Sequence, residues 1–271
     1  MMKTGVVGFG GRMGSLIARI VVDSPGMDLA GALEDKTHPA VGRDAGVVLG
    51  MDPSGLTVSA AIEEAFAPCS CIIDFTFPEV TLRVARYASE AGKAMVIGST
   101  GFTEDQKKTI ASYGGKIPMV MSPNMSIGVN VLFKVVEMMA GLLDESYDAE
   151  IVEAHHRMKK DAPSGTALAL AQSLARGRGI DLDDHARYER HGIIGARPTG
   201  EIGIQTVRAG DIVGEHLVMF AGGGERIEVA HKAHTRENFA RGAVRAARWL
   251  EGKTPGLYTM MDVLGIGHES R

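Results

Sequence analysis

The sequence predicts an α/β chain. A doubly wound (Rossmann-type) domain is expected over residues 1–126, completed by residues 237–271. An α+β domain with a mixed, largely antiparallel sheet is expected over residues 127–236. Three observations carry this prediction. Short apolar or β-branched runs alternate with helical stretches as far as Met121. A glycine-rich turn stands at the first strand–helix junction. Beyond Ser122 the pattern changes to one amphipathic helix and a set of extended runs broken by Gly and Asp turns.

In the first domain the strands are expected at Thr4–Gly8, Met27–Leu33, Cys71–Phe75, Ala94–Gly98 and Pro118–Met121. Helical segments such as Met13–Asp23, Glu79–Ala91 and Glu104–Tyr113 lie between them. Strand–helix alternation implies a parallel sheet covered on both faces. The Gly- and Pro-rich segment Pro39–Gly55 is expected to be an irregular surface excursion. In the second domain Val129, Leu132, Val136, Met139 and Leu143 recur at steps of three and four, which marks one apolar helix face. A strand is expected at Tyr147–Glu153 and a helix at Ser164–Arg176, with Gly177 as its stop. Gly177–Gly200 reads as a long connection. Ile202–Val207, Glu215–Phe220 and Arg226–His231 read as antiparallel strands. Thr235 is expected to cap a helix reaching Leu250, and Gly256–Leu264 to be extended.

A chain of 271 residues is long for one core and suits two. With 45% apolar and 23% charged residues it has the balance of a globular protein. The net charge of −4 offers no global basic field for nucleic acid, and 5% aromatics leaves little for base stacking. Cys69 and Cys71 are expected on one face of a strand as buried free thiols in a reducing compartment. They lack partners at metal-ligand spacing. The start MMKTGVVGFGG is too short and glycine-rich for a signal peptide. Ile127–Leu143 is interrupted by Asn130, Lys134 and Glu137, which disfavours a membrane span. A soluble, cytoplasmic protein is expected.

The turn Gly8-Phe9-Gly10-Gly11-Arg12-Met13-Gly14 follows a strand and opens a helix. Backbone amides there, with the helix dipole, favour a pyrophosphate. The spacing departs from the usual three-glycine pattern, because Met13 occupies the sixth place counted from Gly8. The alternative is a tight turn without a ligand. Glu34 closes the second strand, where a carboxylate can accept from the adenosine ribose hydroxyls. Asp35 follows it. A 2′-phosphate would face both carboxylates unless Arg12 or Lys36 compensates, so NADH is the expected cofactor, with NADPH as the second donor. Gly98-Ser99-Thr100 and Ser122-Pro123-Asn124-Met125 follow the fourth and fifth strands. Ligands sit at carboxyl ends of parallel strands, so both loops are expected to line the cofactor site.

The densest chemistry is the stretch EAHHRMKKDAPSGTAL, Glu153–Leu168. His155 and Lys159 are four residues apart, with His156, Arg157 and Lys160 beside them. Gly165 and Thr166 open a helix, whose exposed amides suit a carboxylate. Together they read as a pocket for an anionic small molecule, with His155 and Lys159 as proton-transfer candidates. Consecutive strand residues point to opposite faces, so both histidines can serve one pocket only if the strand ends near His155. Three other readings stand beside this one: a solvated basic loop, zinc ligation without the usual partners, and a site that binds phosphate only.

VGFGGRMG, the strand-end Glu34, GSTGF, SPNMSIGVN, EAHHRMKKDAPSGTAL and GDIVGEH together resemble the 4-hydroxy-tetrahydrodipicolinate reductase (dihydrodipicolinate reductase) family. The resemblance runs from Gly8 to the C-terminal helix. It implies NAD(P)H-dependent reduction of a cyclic dicarboxylate imine in lysine and diaminopimelate biosynthesis, by a homotetramer built through second-domain sheets. It makes His155 the acid/base residue and Lys159 a proton donor. It gives His156 and the Gly165-Thr166 amides to the substrate carboxylates, and Gly8–Met13, Glu34, Gly98–Thr100 and Ser122–Met125 to the cofactor. No metal is implied. Asp35 departs from the family, where a basic residue often follows the glutamate, and Met158 replaces a third histidine of some relatives. Two other classes remain: another two-domain dehydrogenase of an amino or imino dicarboxylate, and a non-enzymatic dinucleotide-sensing regulator, for which the chain has no obvious partner module.

Overall fold

The computed structural model describes residues 1–266. Two units result: Met1–Ser126 with the segment from Glu237 onward, and Ile127–Arg236.

The first unit is built on β1 (Met2–Val7), α1 (Arg12–Val22), β2 (Met27–Leu33), α2 (Ala45–Val48), α3 (Ile62–Phe66), β3 (Cys71–Asp74), α4 (Pro78–Glu90), β4 (Ala94–Ile97), α5 (Glu104–Gly114) and β5 (Pro118–Met121). Its sheet is parallel throughout, in the order β11-β5-β4-β3-β1-β2, where β11 is Gly256–Tyr258 near the C-terminus. Strand progression reverses at β1, which lies between β2 and β3, so the carboxyl ends of β1 and β3 flank the topological switch point. That is where open α/β sheets bind ligands. The strands are buried on both faces. Val7, Ile72, Met95, Ile97 and Met119 pack against Val84 and Ala88 of α4 and Ile110 of α5. Each large side chain buried this way contributes roughly 1.5–3 kcal/mol. Local signals agree with the elements: Pro78 opens α4, and Thr103 and Gln106 form a reciprocal capping box on α5.

Two expectations change here. Asp44, Ser54 and Gly55 organise the Pro39–Gly55 segment. The Asp44 carboxylate accepts from Val47 N, Ser54 N and Gly55 N and caps the short α2. The strand after the cysteines begins at Cys71, so Cys69 lies outside it. Both thiols are nevertheless free and buried, and burial pushes them up to about 11 and about 12, which keeps them inert.

The second unit comprises α6 (Ile127–Leu142), β6 (Asp148–His155), α7 (Gly165–Arg178), α8 (Leu182–His185), β7 (Ala186–Arg187), β8 (Ile202–Arg208), β9 (Glu215–Ala221) and β10 (Arg226–Lys232). Its mixed sheet has the order β10-β9-β6-β8-β7. β9 pairs antiparallel with β10 and β6, but β8 pairs parallel with β6. The expected three-stranded antiparallel set is therefore split, because β6 inserts between β8 and β9. Gly177 does not stop α7. The helix continues to Arg178 and ends at Gly179 in the left-handed region, φ 66. Gly177 instead lets α7 approach α6, since a Cβ there would lie 2.2 Å from the Glu137 carbonyl oxygen.

The C-terminal part returns to the first unit with α9 (Glu237–Trp249), β11 and α10 (Met260–Leu264). α9 starts at Glu237, two residues beyond the expected Thr235 cap. The expected extended tail is short, because Thr259 and Asp262 form a capping box and start α10. No helix among the described residues is long and apolar enough to cross a membrane.

Candidate functional site

β6 alternates half-buried and buried positions, with Ile151, Glu153 and His155 inward, and it ends at His155. Residues two apart on a strand share a face, so Glu153 stands beside His155 in the interior. Its carboxylate is fully buried and accepts from five donors. These are His155 Nδ1 at 2.5 Å, Ser164 N at 3.0 Å, Thr206 Oγ1 at 3.2 Å, and Arg208 through two nitrogens at 2.8 Å each. Burial alone would raise this carboxyl. The Arg208 fork, His155 and Ser164 N outweigh burial and hold it down at about 2.

The ionised Glu153 fixes the His155 tautomer. A carboxylate only accepts, so Nδ1 of His155 carries the hydrogen and Nε2 is left as an acceptor. Burial pushes the His155 pKa below its ordinary value, and Lys159 and Arg208 add to that against the pull of Glu153. His155 is therefore neutral at neutral pH. Gly214 lies against this nitrogen, since a Cβ there would be 3.1 Å from Nε2. The His216 ring meets His155 edge-on, with centroids 5.2 Å apart. Burial, with His155 beside it, lowers His216 to about 3.

Ser164 connects this cluster to α7. Its hydroxyl accepts from Ala167 N at 3.1 Å as the helix N-cap and lies 3.1 Å from His216 Nε2. Gly165 and Thr166 form the first turn of α7, where helix amides and the dipole favour an anion. Lys159 pairs with Asp161 at 2.9 Å, and Arg208 donates to the Asp161 carbonyl at 2.6 Å. The loop carrying Lys159 is thus tied to the clamp on Glu153. His156 follows the strand end, half-buried, in a turn closed by Lys159 N to His156 O at 3.1 Å. Taken as a whole, the site offers a neutral imidazole, an ammonium group and a helix N-terminus, which suits proton transfer on a carboxylate-bearing molecule.

In the first unit the glycine turn is shaped by close approach. Gly8 has φ +67, and Gly11 N donates to its carbonyl at 2.9 Å. A Cβ at Gly14 would lie 2.0 Å from that same carbonyl oxygen, and one at Gly10 would meet the His38 ring at 2.3 Å. Gly11 is the N-cap of α1 and brings no side chain over the helix amides. Glu34 reaches across the turn and accepts from Gly10 N at 2.7 Å. A side-chain-free cradle at a helix N-terminus with a carboxylate beside it fits a dinucleotide: amides for the pyrophosphate, an acceptor for ribose hydroxyls. Asp35 is exposed. Its carboxylate bonds Thr37 N and Oγ1, which lowers its pKa and keeps it charged.

The remaining expected cofactor residues divide by exposure. Arg12 and Thr100 are exposed and Met13 is half-buried. Phe9, Ser99, Ser122 and Met125 have buried side chains, so only their backbone is available to a ligand. Ser122 Oγ donates to the Asn124 carbonyl at 3.0 Å, and Asn124 Oδ1 accepts from Ser126 N at 2.8 Å, so these two side chains build their own turn beside the exposed Pro123. The Gly98 Cα lies under the Phe75 ring, where a Cβ would be 2.2 Å away.

Glu153, Ser164, Arg208 and His216 lie outside the expected site set. Glu153 has a signal in the sequence, its two-residue spacing from His155 on a strand. His216 has only its place at the end of the GDIVGEH run, and Arg208 has none, because the β10-β9-β6-β8 order that brings them together depends on β6 inserting between strands distant in sequence. Among the described residues no group of three or more His, Cys, Asp or Glu side chains is placed to hold a metal ion.

Comparison with known proteins agrees across both units. Residues 2–125 match the family model described as dihydrodipicolinate reductase, N-terminus, and residues 128–264 match the one described as dihydrodipicolinate reductase, C-terminus. The chain is 53% identical over 266 residues to a 4-hydroxy-tetrahydrodipicolinate reductase of Syntrophobacter fumaroxidans, covering 98% of this chain and 100% of the relative. It is 51% identical to one of Anaeromyxobacter dehalogenans, covering 98% of each. A solved dipicolinate-bound dihydrodipicolinate reductase from Paenisporosarcina sp. TG-14 superposes with a TM-score of 0.75 at 25% identity, covering 97% of this chain and 99% of that one. A probable dehydrogenase from Thermotoga maritima shares the fold alone, with a TM-score of 0.64 at 10% identity over 98% of this chain and 93% of that one. With both halves matched and half of its residues identical to full-length relatives, the chain belongs to the dihydrodipicolinate reductase family.

Proposed function

We propose that this chain reduces 4-hydroxy-tetrahydrodipicolinate (dihydrodipicolinate) to tetrahydrodipicolinate in lysine and diaminopimelate biosynthesis. The observation that carries the reading is the Glu153–His155 pair bonded to the N-cap of α7 inside the region that matches the family's C-terminal model. The first unit is the dinucleotide-binding domain, and the second is the substrate-binding and oligomerisation domain. The protein works in the cytoplasm as a homotetramer.

Loss of the 4-hydroxyl as water, with a proton from the adjacent C5, would leave a C4=C5–C6=N conjugated imine, and a bound nicotinamide would supply the hydride that C4 then accepts. Electron density then moves toward the ring nitrogen, which must receive a proton. Lys159 carries a transferable proton as an ammonium group and is the donor. His155 is neutral, holds its hydrogen toward Glu153 and presents Nε2 as a base. Burial, with added positive charge from Lys159 and Arg208, keeps the imidazole neutral. The Gly165-Thr166 amides and His156 hold the substrate carboxylates, as a relative's binding of dipicolinate, an aromatic dicarboxylate, supports. General acid help of this kind is worth roughly 100- to 10,000-fold. Glu34 and Asp35 side by side place two carboxylates where a 2′-phosphate would sit, so NADH is the preferred donor and NADPH the weaker one.

The test is NADH oxidation with the enzymatically generated cyclic substrate, run in parallel with NADPH. Saturable turnover with a higher kcat/KM for NADH is expected. Tight NADH binding without turnover would support a dinucleotide-sensing regulator instead.

A further inference from the structure

Asp74 is a fully buried carboxyl that the proposed chemistry does not use. It is the last residue of β3 and pairs in register with Val7 on one side and Ile97 on the other. The glycine turn leaves the sheet just after Val7, and Gly98-Ser99-Thr100 leaves it just after Ile97. Asp74 therefore stands at the switch point, beneath the junction of three strand-end loops.

Its contacts join those loops. Oδ1 accepts from Thr76 N at 2.8 Å and Thr76 Oγ1 at 2.6 Å on its own loop, and from Ser99 Oγ at 3.4 Å on the next. Ser99 Oγ in turn accepts from Thr76 N at 2.9 Å and from Thr81 Oγ1 at 3.0 Å. The glycine turn is held by packing, since a Cβ at Gly8 would lie 2.7 Å from Thr76 Cγ2. Gly98 N donates to the Asp74 carbonyl at 2.9 Å.

An apolar residue would fill such a core position without the cost of burying a polar group. A carboxyl serves here because a single oxygen accepts from donors on two loops. Its second oxygen, Oδ2, is buried with no partner among the described residues. Burial pushes the Asp74 pKa up despite the bonds from Thr76 and Ser99.

We propose that Asp74 is a positioning residue for the dinucleotide site, tying the Thr76 and Ser99 loops together so that the Gly98–Thr100 backbone is preset for the cofactor. The inference rests on the reading of the first unit as a dinucleotide domain. It also reassigns Ser99, whose hydroxyl faces inward and supports the site from beneath.

The experiment titrates full-length Asp74→Ala, Asp74→Asn and Ser99→Ala with NADH by fluorescence, alongside steady-state kinetics and thermal melts. Asp74→Ala is expected to raise Kd and KM for NADH about tenfold, as loss of a buried hydrogen-bond anchor implies. Its kcat and its KM for the cyclic substrate should stay within about twofold. Asp74→Asn keeps the Oδ1 acceptor and should recover NADH binding to within about threefold of wild type. Ser99→Ala should weaken NADH in the same direction. Asp74→Ala with wild-type NADH affinity overturns the inference, as does equal loss toward NADH and cyclic substrate. If Asp74→Ala does not fold, Ser99→Ala with unchanged NADH affinity overturns it. A wild-type chain that binds no NADH overturns the dinucleotide reading itself, and this inference with it.

Discussion

Replacing Glu153 with glutamine keeps the shape of the side chain and removes its charge. The consequences follow from its five donors. The carboxyl is held at about 2 against an ordinary 4.5. At 1.36 kcal/mol per pH unit, that gap favours the ionised form by about 3 kcal/mol. Its folded pKa is depressed, so this stability is present above pH 4.5 and is lost as pH falls toward about 2. Glutamine gives it up and leaves the Arg208 guanidinium without its anion, a change that costs about 3–5 kcal/mol for a buried pair. It also turns an amide donor toward Arg208 or His155, and the His155 tautomer is no longer fixed. Steady-state turnover should fall about 100-fold in kcat, while the NADH dissociation constant stays at its wild-type value. The double variant Glu153→Gln with Arg208→Met removes the orphaned cation. It should regain thermal stability without regaining turnover, which separates the two effects. A folded Glu153→Gln enzyme with kcat within twofold of wild type would refute the reasoning.

Other perturbations probe other parts of the molecule. His155→Gln and Lys159→Ala should each lower kcat by at least about 100-fold with little change in NADH affinity, measured by kinetics and fluorescence titration. His216 stays neutral in the native state down to about 3, whereas an unfolded histidine charges near 6.5, so folding stability falls as pH drops below 6.5. Between pH 6.5 and 5 the loss is about 2 kcal/mol, and melts of His216→Asn should show a smaller acid loss than wild type. Gly177→Ala places a Cβ 2.2 Å from the Glu137 carbonyl oxygen and should destabilise by about 1–3 kcal/mol, as denaturant titration would show. Asp35→Arg should shift the kcat/KM ratio toward NADPH, because a guanidinium next to Glu34 would attract a 2′-phosphate that the carboxylate would repel.

Much of the first unit was legible in the sequence because parallel βαβ units announce themselves locally. Each strand is a short apolar run, helices such as α4 and α5 carry their own start signals, and the glycine turn sits at a fixed place after β1. The second unit was harder. Its runs could be recognised as strands, but the parallel pairing of β8 with β6 depends on β6 inserting between distant segments. The same cause hid Arg208 and His216 from the site. The stop of α7 was misplaced for a different reason: Gly177 serves helix–helix approach, and nothing local distinguishes that from a C-terminal glycine such as Gly179. Ser99 illustrates a further limit. Its loop position was readable, but the inward turn of its hydroxyl depends on Asp74 and Thr81, which belong to neighbouring elements.

The most direct test of the central claim follows the hydride. The chain is supplied with nicotinamide cofactor deuterated at the transferring C4 position and with enzymatically generated cyclic substrate, and the product is examined by mass spectrometry and NMR. The account predicts one deuterium at ring C4 of tetrahydrodipicolinate, with incorporation slowed strongly in Lys159→Ala and at the same position. Cofactor that binds but transfers no deuterium, or deuterium at another ring carbon, would contradict it.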